Sequence, residues 1–397
     1  MTDDGMPDQP GPRRQTEIYM EGLADVTPDV PVRYETLEQD ALDAMDDEAA
    51  GYVAGGAGGG ETMDANREAF RQWHIRPAML RDVEERDRSV ELLGQEYDAP
   101  VLLAPIGVLS IVHEAAEGAI AEAAADLDLP MILSTAASTE LETVAEQLDA
   151  ADGRGWFQLY WSSDRAITES LVERAERAGY EALVVTVDTP LLSWRERDIA
   201  DAYLPFLDGE GLANYLSDPA FLDRLDADPS ENELAAVREF VDIFGDPSLT
   251  WDDLAWLTDQ TDLPVVVKGI LRSDDAARAV KAGADGVVVS NHGGRQVDRA
   301  IPALDALPEV AGRIGDDAAV LFDSGIRRGS DAIVALALGA DAVLLGRPYV
   351  YGLALDGADG VRAVCRNFLA DFDLTMGLAG QDAVAGIDRS LLRARDC

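Results

Sequence analysis

From residue 100 onward, short apolar runs alternate with stretches of helical period. The runs are Val101–Ala104, Met131–Ser134, Trp156–Tyr160, Ala182–Val187, Val265–Lys268, Gly286–Ser290, Ala319–Phe322 and Ala342–Leu345. Between most of them lie amphipathic stretches such as Glu114–Asp126, Ala166–Ala178 and Ser273–Ala282. Strands alternating with helices pair in parallel through right-handed crossovers, and eight such units close a (β/α)8 barrel. The expected fold is therefore α/β, a TIM barrel. The spacing breaks once, after the fourth strand, where Arg195–Trp251 is too long for one helix. That segment reads as a partly ordered insertion over the active face, able to act as a lid.

Ahead of the barrel, residues 1–34 carry few aliphatic side chains and are expected to form a mobile arm. The barrel domain is expected to fill 35–397. It opens with a helical extension near Thr36–Tyr52, followed by the glycine-rich run Ala54–Gly60. That run has no strand before it and no Gly-Lys-Ser/Thr ending, so it reads as a flexible turn rather than a phosphate cradle.

Composition narrows the partners. The formal charge of −44 over 397 residues argues against nucleic acid and anionic membranes. Lysine occurs only at Lys268 and Lys281, against 30 arginines. An acidic, lysine-poor surface suits concentrated salt, where screening weakens self-repulsion. No apolar stretch reaches membrane-spanning length, and Met1–Arg14 lacks the hydrophobic core of a secretion signal, so a cytoplasmic protein is expected. Cys365 and Cys397 have neither metal-ligand spacing nor the look of a disulfide framework.

Barrel enzymes place their reactive groups at the carboxyl ends of strands. Here nearly every such end offers a polar group: Pro105-Ile106-Gly107, Ser134, Gln158 with Tyr160, Thr186 with Asp188, Lys268, Ser290-Asn291-His292, Asp323-Ser324-Gly325 and Gly346-Arg347. His292 is one of three histidines and follows the apolar run Gly286–Val289. Neutral imidazole is well suited to taking a proton near pH 7. Arg295, three residues on, offers a fork of donors that fits a carboxylate. Asp323–Arg327 and Gly346-Arg347 combine glycine-freed amides with arginines, an anion cradle where barrels often bind phosphate. Asp323 would accept from a sugar-like hydroxyl. Phosphate, polyol and a lysine at strand five together suggest flavin mononucleotide (FMN), with Lys268 beside the ring.

The run Ser290–Gln296, together with Phe157–Tyr160, Thr186–Pro190 and Val267–Gly269, resembles the FMN-dependent α-hydroxy acid oxidase/dehydrogenase family over roughly residues 35–392. Tyr203–Leu207, Ala213–Tyr215 and Pro105–Val108 look most like lactate 2-monooxygenase within it. The resemblance implies that His292 is the active-site base and Asp188 the holder of its imidazolium. It implies that Arg295 and Arg195 grip the substrate carboxylate, and that the Tyr160 and Tyr52 hydroxyls reach the substrate. Pro105, Ile106, Gly107, Ser134, Gln158, Thr186, Lys268 and Ser290 would contact the flavin ring and ribityl chain. Asp323, Ser324, Gly325, Ile326 and Arg327, with Gly346 and Arg347, would take the ribityl and phosphate end. The implied substrates are a small 2-hydroxy acid, L-lactate above all, and dioxygen. A homo-oligomer, tetramer or larger, is implied as well. His74 and His113 match no catalytic position and read as structural.

Two positions depart from the family pattern. Gly107 stands where many relatives carry alanine, leaving room beside the flavin for dioxygen or retained product. Ala136 replaces a tryptophan of some relatives, so their substrate size does not transfer. Lactate oxidase or dehydrogenase chemistry releasing pyruvate is the alternative outcome. A flavin barrel isomerase without net redox, or a flavin-binding sensor, would explain Lys268 and the anion cradle. The isomerase does not explain His292, Arg295 and Arg195 together, and intact His292, Asp188, Tyr160 and Arg295 speak against the sensor.

Overall fold

The computed structural model describes residues 9–395. Eight strands form one closed parallel barrel in chain order: β1 (Val101–Leu103), β2 (Met131–Ser134), β3 (Gly155–Tyr160), β4 (Leu183–Thr186), β5 (Val265–Ile270), β6 (Gly286–Val289), β7 (Ala319–Phe322) and β8 (Ala342–Leu345). β8 closes on β1 through Val343 opposite Val101. Each expected strand falls on an observed one. The largest extension is β5, which runs on through Lys268 to Ile270 with a register shift between them.

The pleat explains both the core and the site. Side chains alternate between the two faces of a strand, so every second residue points into the barrel. The inward layer is Leu102, Ile132, Trp156, Val184, Val266, Val288, Leu321 and Leu344, which pack as one cluster. Their neighbours Val101, Leu133, Phe157, Val185, Val267, Val287, Val320 and Val343 belong to the larger core beneath the helices. A two-stranded hairpin, Val90–Leu92 with Gln95–Tyr97, joins the inner cluster, and the Trp156 indole donates to the Tyr97 hydroxyl at 3.2 Å. One pleat period above that layer stand Ser134, Gln158, Thr186, Lys268, Ser290 and Asp323. Apolar packing below therefore gives way to polar groups at the carboxyl ends.

Four helices precede the barrel: α1 (Pro10–Gly22), α2 (Tyr34–Ala44), α3 (Asp47–Ala54) and α4 (Glu61–Arg71). The helical stretch expected over Thr36–Tyr52 is two helices, broken by extended backbone at Met45 and Asp46. The expected arm also needs correction. Its first eight residues lie outside the described ones, but Pro10–Gly22 is a helix docked on the long C-terminal helix Arg347–Leu378. The contact is polar, which is why low aliphatic content concealed it. The Gly11 amide donates to the fully buried Asp373 carboxylate, which also accepts two 2.7 Å bonds from Arg86. Asp373→Ala strands a buried guanidinium and is expected to cost about 3–5 kcal/mol. A lower Tm and faster proteolysis within Pro10–Gly22 would register that loss; an unchanged Tm would contradict it.

The insertion after β4 is ordered and built from short helices. The Asn214 side chain fastens it to the barrel: it accepts from the Leu141 amide at 2.7 Å and donates to the Thr135 carbonyl at 3.0 Å. Arg174 adds an ion pair to the buried Asp218, and Glu210 bonds to Ser110 beyond β1. Residues 210–218 are thus held to the barrel wall. Among the described residues no helix is long and apolar enough to cross a membrane.

Candidate active site

The carboxyl ends of the strands enclose a cavity of about 1200 Å³, counting its open mouth. Of the residues singled out from sequence, Tyr52, Pro105, Ile106, Gly107, Ser134, Tyr160, Arg195, Lys268, His292 and Arg295 line it. So do Asp323, Ser324, Gly325, Ile326, Arg327, Gly346 and Arg347. Asp188, Gln158, Thr186 and Ser290 stand directly behind that lining. Gln158 accepts from Ser134 and donates to Thr186, each at 3.0 Å. Ser290 accepts from Lys268 at 3.1 Å.

His292 sits on a loop that the sequence forces into shape. Its φ is +58°, a left-handed conformation uncommon for a side chain of this size. The Ser290 hydroxyl accepts from the His292 amide at 2.9 Å, and the Ser324 hydroxyl accepts from the Asn291 and Gly293 amides. The buried amides of Asn66 and Asn291 exchange two hydrogen bonds of 2.8 and 2.7 Å, tying the loop to α4. His292 Nδ1 lies 2.8 Å from Asp188 Oδ1, and Nε2 lies 3.5 Å from the Tyr160 hydroxyl, facing the cavity. Gly269 makes this dyad possible: at φ +106°, a Cβ there would lie 2.6 Å from that of Asp188.

Charges in the site follow from burial. Burial lowers the His292 pKa below the usual imidazole range, and Asp188, although it opposes this, does not restore it. The imidazole is therefore neutral at rest. Burial would raise Asp188, but His292 and Lys268 outweigh it and keep the carboxyl ionised. Burial alone would lower Lys268; Asp323, at 3.1 Å, and Asp188 reverse that and hold it charged. Desolvation pushes the Tyr160 phenol upward, so it remains a donor.

The arginines form the opposite wall. Arg295 donates to the Tyr52 and Gly55 carbonyls at 2.6 and 2.8 Å, and its guanidinium lies 4.8 Å from the Tyr52 ring centre. Burial, with Arg195 nearby, depresses it to about 10. Arg195 donates to Ser193 and to Gln296, whose amide in turn donates to the Asp188 carbonyl. Gln296 thus links the dyad to the arginines. The run Ala54–Gly60, read as a flexible turn, is built into this wall: the Ala57 amide bonds to Gly294 and that of Gly58 to Trp194.

The site holds what an FMN would require. Arg347 is half-buried and donates to the Val53, Gly55 and Gly293 carbonyls. Among the described residues no carboxylate is within ion-pair distance of it, Glu38 acting only from farther off, and a desolvated cation so weakly compensated suits an anion such as phosphate. Ala104, Ile106, Leu344 and Val350 give an apolar surface for a ring, and Ser134, Lys268 and Asp323 supply polar groups beside it. A further apolar wall is Val108, Leu192, Phe206 and Phe244; Val108 and Phe206 lie in runs noted from sequence, but none of the four was assigned to the site. These residues come from scattered segments, and each alone looks like ordinary core. The space expected beside Gly107 is closed, because a Cβ there would lie 2.5 Å from the Ala136 carbonyl oxygen. The missing methyl admits close backbone approach by Ala136, so the Cβ position itself adds no free space to the cavity.

A closed parallel barrel with a His–Asp dyad facing paired arginines over a phosphate-ready end defines a flavin-dependent oxidoreductase of small acids. A family model described as FMN-dependent dehydrogenase matches residues 41–394. The chain is 43% identical over 383 residues to an FMN-dependent alpha-hydroxy acid dehydrogenase, qulF, of Penicillium citrinum, covering 96% of this chain and 95% of that one. It is 42% identical to an L-lactate oxidase of Lysinibacillus sphaericus (strain C3-41) over 357 residues, 90% of this chain and 91% of the relative. A solved mandelate oxidase structure with (S)-4-hydroxymandelic acid matches with a TM-score of 0.81 at 38% identity, covering 92% of this chain and 99% of the other. The chain belongs to the FMN-dependent α-hydroxy acid dehydrogenase family. It is an FMN-dependent 2-hydroxy acid oxidoreductase.

Proposed function

We propose that the protein acts on L-lactate as a lactate 2-monooxygenase, converting L-lactate and dioxygen to acetate, carbon dioxide and water. The observation that carries the reading is the placement of His292 Nε2 beside the Tyr160 hydroxyl, with Asp188 on Nδ1 and Arg195 and Arg295 lining the same cavity. In this reading Arg195 and Arg295 grip the carboxylate, and Tyr52 and Tyr160 orient the substrate oxygens. His292 Nε2 takes a proton from the substrate, and Asp188 stabilises the imidazolium that forms. FMN, when bound, supplies the two-electron acceptor. Pro105, Ile106, Gly107, Ser134, Gln158, Thr186, Lys268 and Ser290 would hold its ring and ribityl chain. Asp323–Arg327, Gly346 and Arg347 would hold the ribityl and phosphate end.

The monooxygenase outcome requires pyruvate to stay while oxygen reacts. The fastened insertion supports it, since Phe206 and Phe244 wall the cavity and residues 210–218 are tied to the barrel. An oxidase releasing pyruvate and hydrogen peroxide is the second reading, favoured by the relatives named L-lactate oxidase. Product analysis in air tests the choice. Acetate with little peroxide supports the monooxygenase; pyruvate with stoichiometric peroxide replaces it by the oxidase. The same reading includes assembly as a tetramer or larger, which light scattering measures.

Charge adds a salt prediction. The −44 envelope repels an anionic substrate from a locally cationic site. The Debye length falls from about 30 Å at 0.01 M salt to about 3 Å at 1 M. kcat/KM for lactate is therefore expected to rise roughly threefold or more between those salts, wherever the flavin spectrum shows intact protein. A steady fall would contradict it.

A further inference from the structure

We propose that Asp198 sets the charge of the carboxylate clamp, and so how tightly substrate and keto-acid product are held. The proposal rests on the assignment of Arg195 and Arg295 to the substrate carboxylate. Asp198 lies on the short helix Glu196–Ala200, with Oδ2 3.7 Å from Arg195 Nη1. Its Oδ1 is buried and has no hydrogen-bond partner. The clamp is oriented by other groups. Arg195 Nε donates to the Ser193 hydroxyl at 3.1 Å and to the Arg295 carbonyl at 3.3 Å, and Nη2 donates to Gln296 Oε1 at 3.1 Å. Arg295 is held by the carbonyls of Tyr52 and Gly55.

Asp198 thus contributes charge without orientation. A carboxylate beside the Arg195 guanidinium reduces the attraction the clamp offers to a second carboxylate. Burial lifts the Asp198 carboxyl above its usual range, although Arg295 and then Arg195 pull it down, as expected of an acid poorly compensated where it stands. Asp198 is not among the residues that line the cavity; it acts through the arginines that do. Its consequence reaches the fate of the reaction, because one clamp holds both the hydroxy acid and the keto acid made from it.

Oxalate is a carboxylate that this chemistry does not oxidise, so its binding reads the clamp alone. Oxalate is titrated into the FMN holoenzyme and followed by the flavin absorbance. Asp198→Asn is expected to bind oxalate roughly tenfold more tightly than the parent. Asp198→Glu, which keeps the charge, is expected to stay within about threefold of it. Asp198→Ser, neutral and smaller, shares the sign of Asp198→Asn if the amide folds poorly. A structural prop would loosen the clamp when removed, so unchanged or weaker oxalate binding in the neutral variants overturns the proposal. The titration does not depend on which hydroxy acid is oxidised or on the fate of pyruvate. Failure of the lactate reading and failure of this one are therefore separable.

Discussion

His292→Ala, loaded with FMN, is expected to lose about 10²–10⁴-fold in the rate at which L-lactate reduces the flavin anaerobically, with the visible spectrum intact. That range is what a positioned general base contributes. Among the described residues no other group is set to replace it: Tyr160 has its phenol pushed upward by burial, and Asp188 lies on the far side of the ring at Nδ1. The pH dependence has a definite sign. The base works only when neutral, and burial lowers its pKa, so kcat/KM is expected to rise with pH through a midpoint below the ordinary histidine range and then level off. Asp188 opposes that shift, so Asp188→Asn moves the midpoint lower still. It also slows the reaction, because the imidazolium that forms loses its partner. Stopped-flow reduction across pH checks both. A midpoint above the ordinary range, or full activity in His292→Ala, would contradict the assignment.

Arg295→Lys is expected to weaken lactate binding by about 2–3 kcal/mol, roughly 30- to 150-fold, with a smaller effect on the limiting rate of reduction. A lysine keeps the charge and loses the planar fork. It also cannot reproduce the two bonds that hold Arg295 to the carbonyls of Tyr52 and Gly55. The dependence of the reduction rate on lactate concentration separates binding from chemistry. A loss confined to the limiting rate would mean that Arg295 serves the reaction and not the grip.

The barrel was legible because most of its buried parallel strands show as short, largely apolar runs, and period two then fixes which residues face inward. The same parity carries Ser134, Gln158, Thr186, Lys268, Ser290 and Asp323 to one level above the inner core. The dyad was half legible: His292 follows a strand, whereas Asp188 alone reads as a turn residue until the family pattern is seen. What stayed hidden rests on long-range polar contacts. The docking of Pro10–Gly22 depends on Asp373, more than 350 residues away. The fastening of the insertion depends on Asn214 meeting Leu141 and Thr135. The direction of a glycine's absent Cβ is a property of the fold, so the closure beside Gly107 could not be read from its neighbours.

Anaerobic addition of L-lactate to the purified holoprotein in high salt reaches the central claim most directly. Loss of the oxidised flavin absorbance is expected within the mixing and turnover time, with its return when air is admitted. A yellow protein that keeps its spectrum with L-lactate and with other small 2-hydroxy acids would contradict the assignment of this site to their oxidation.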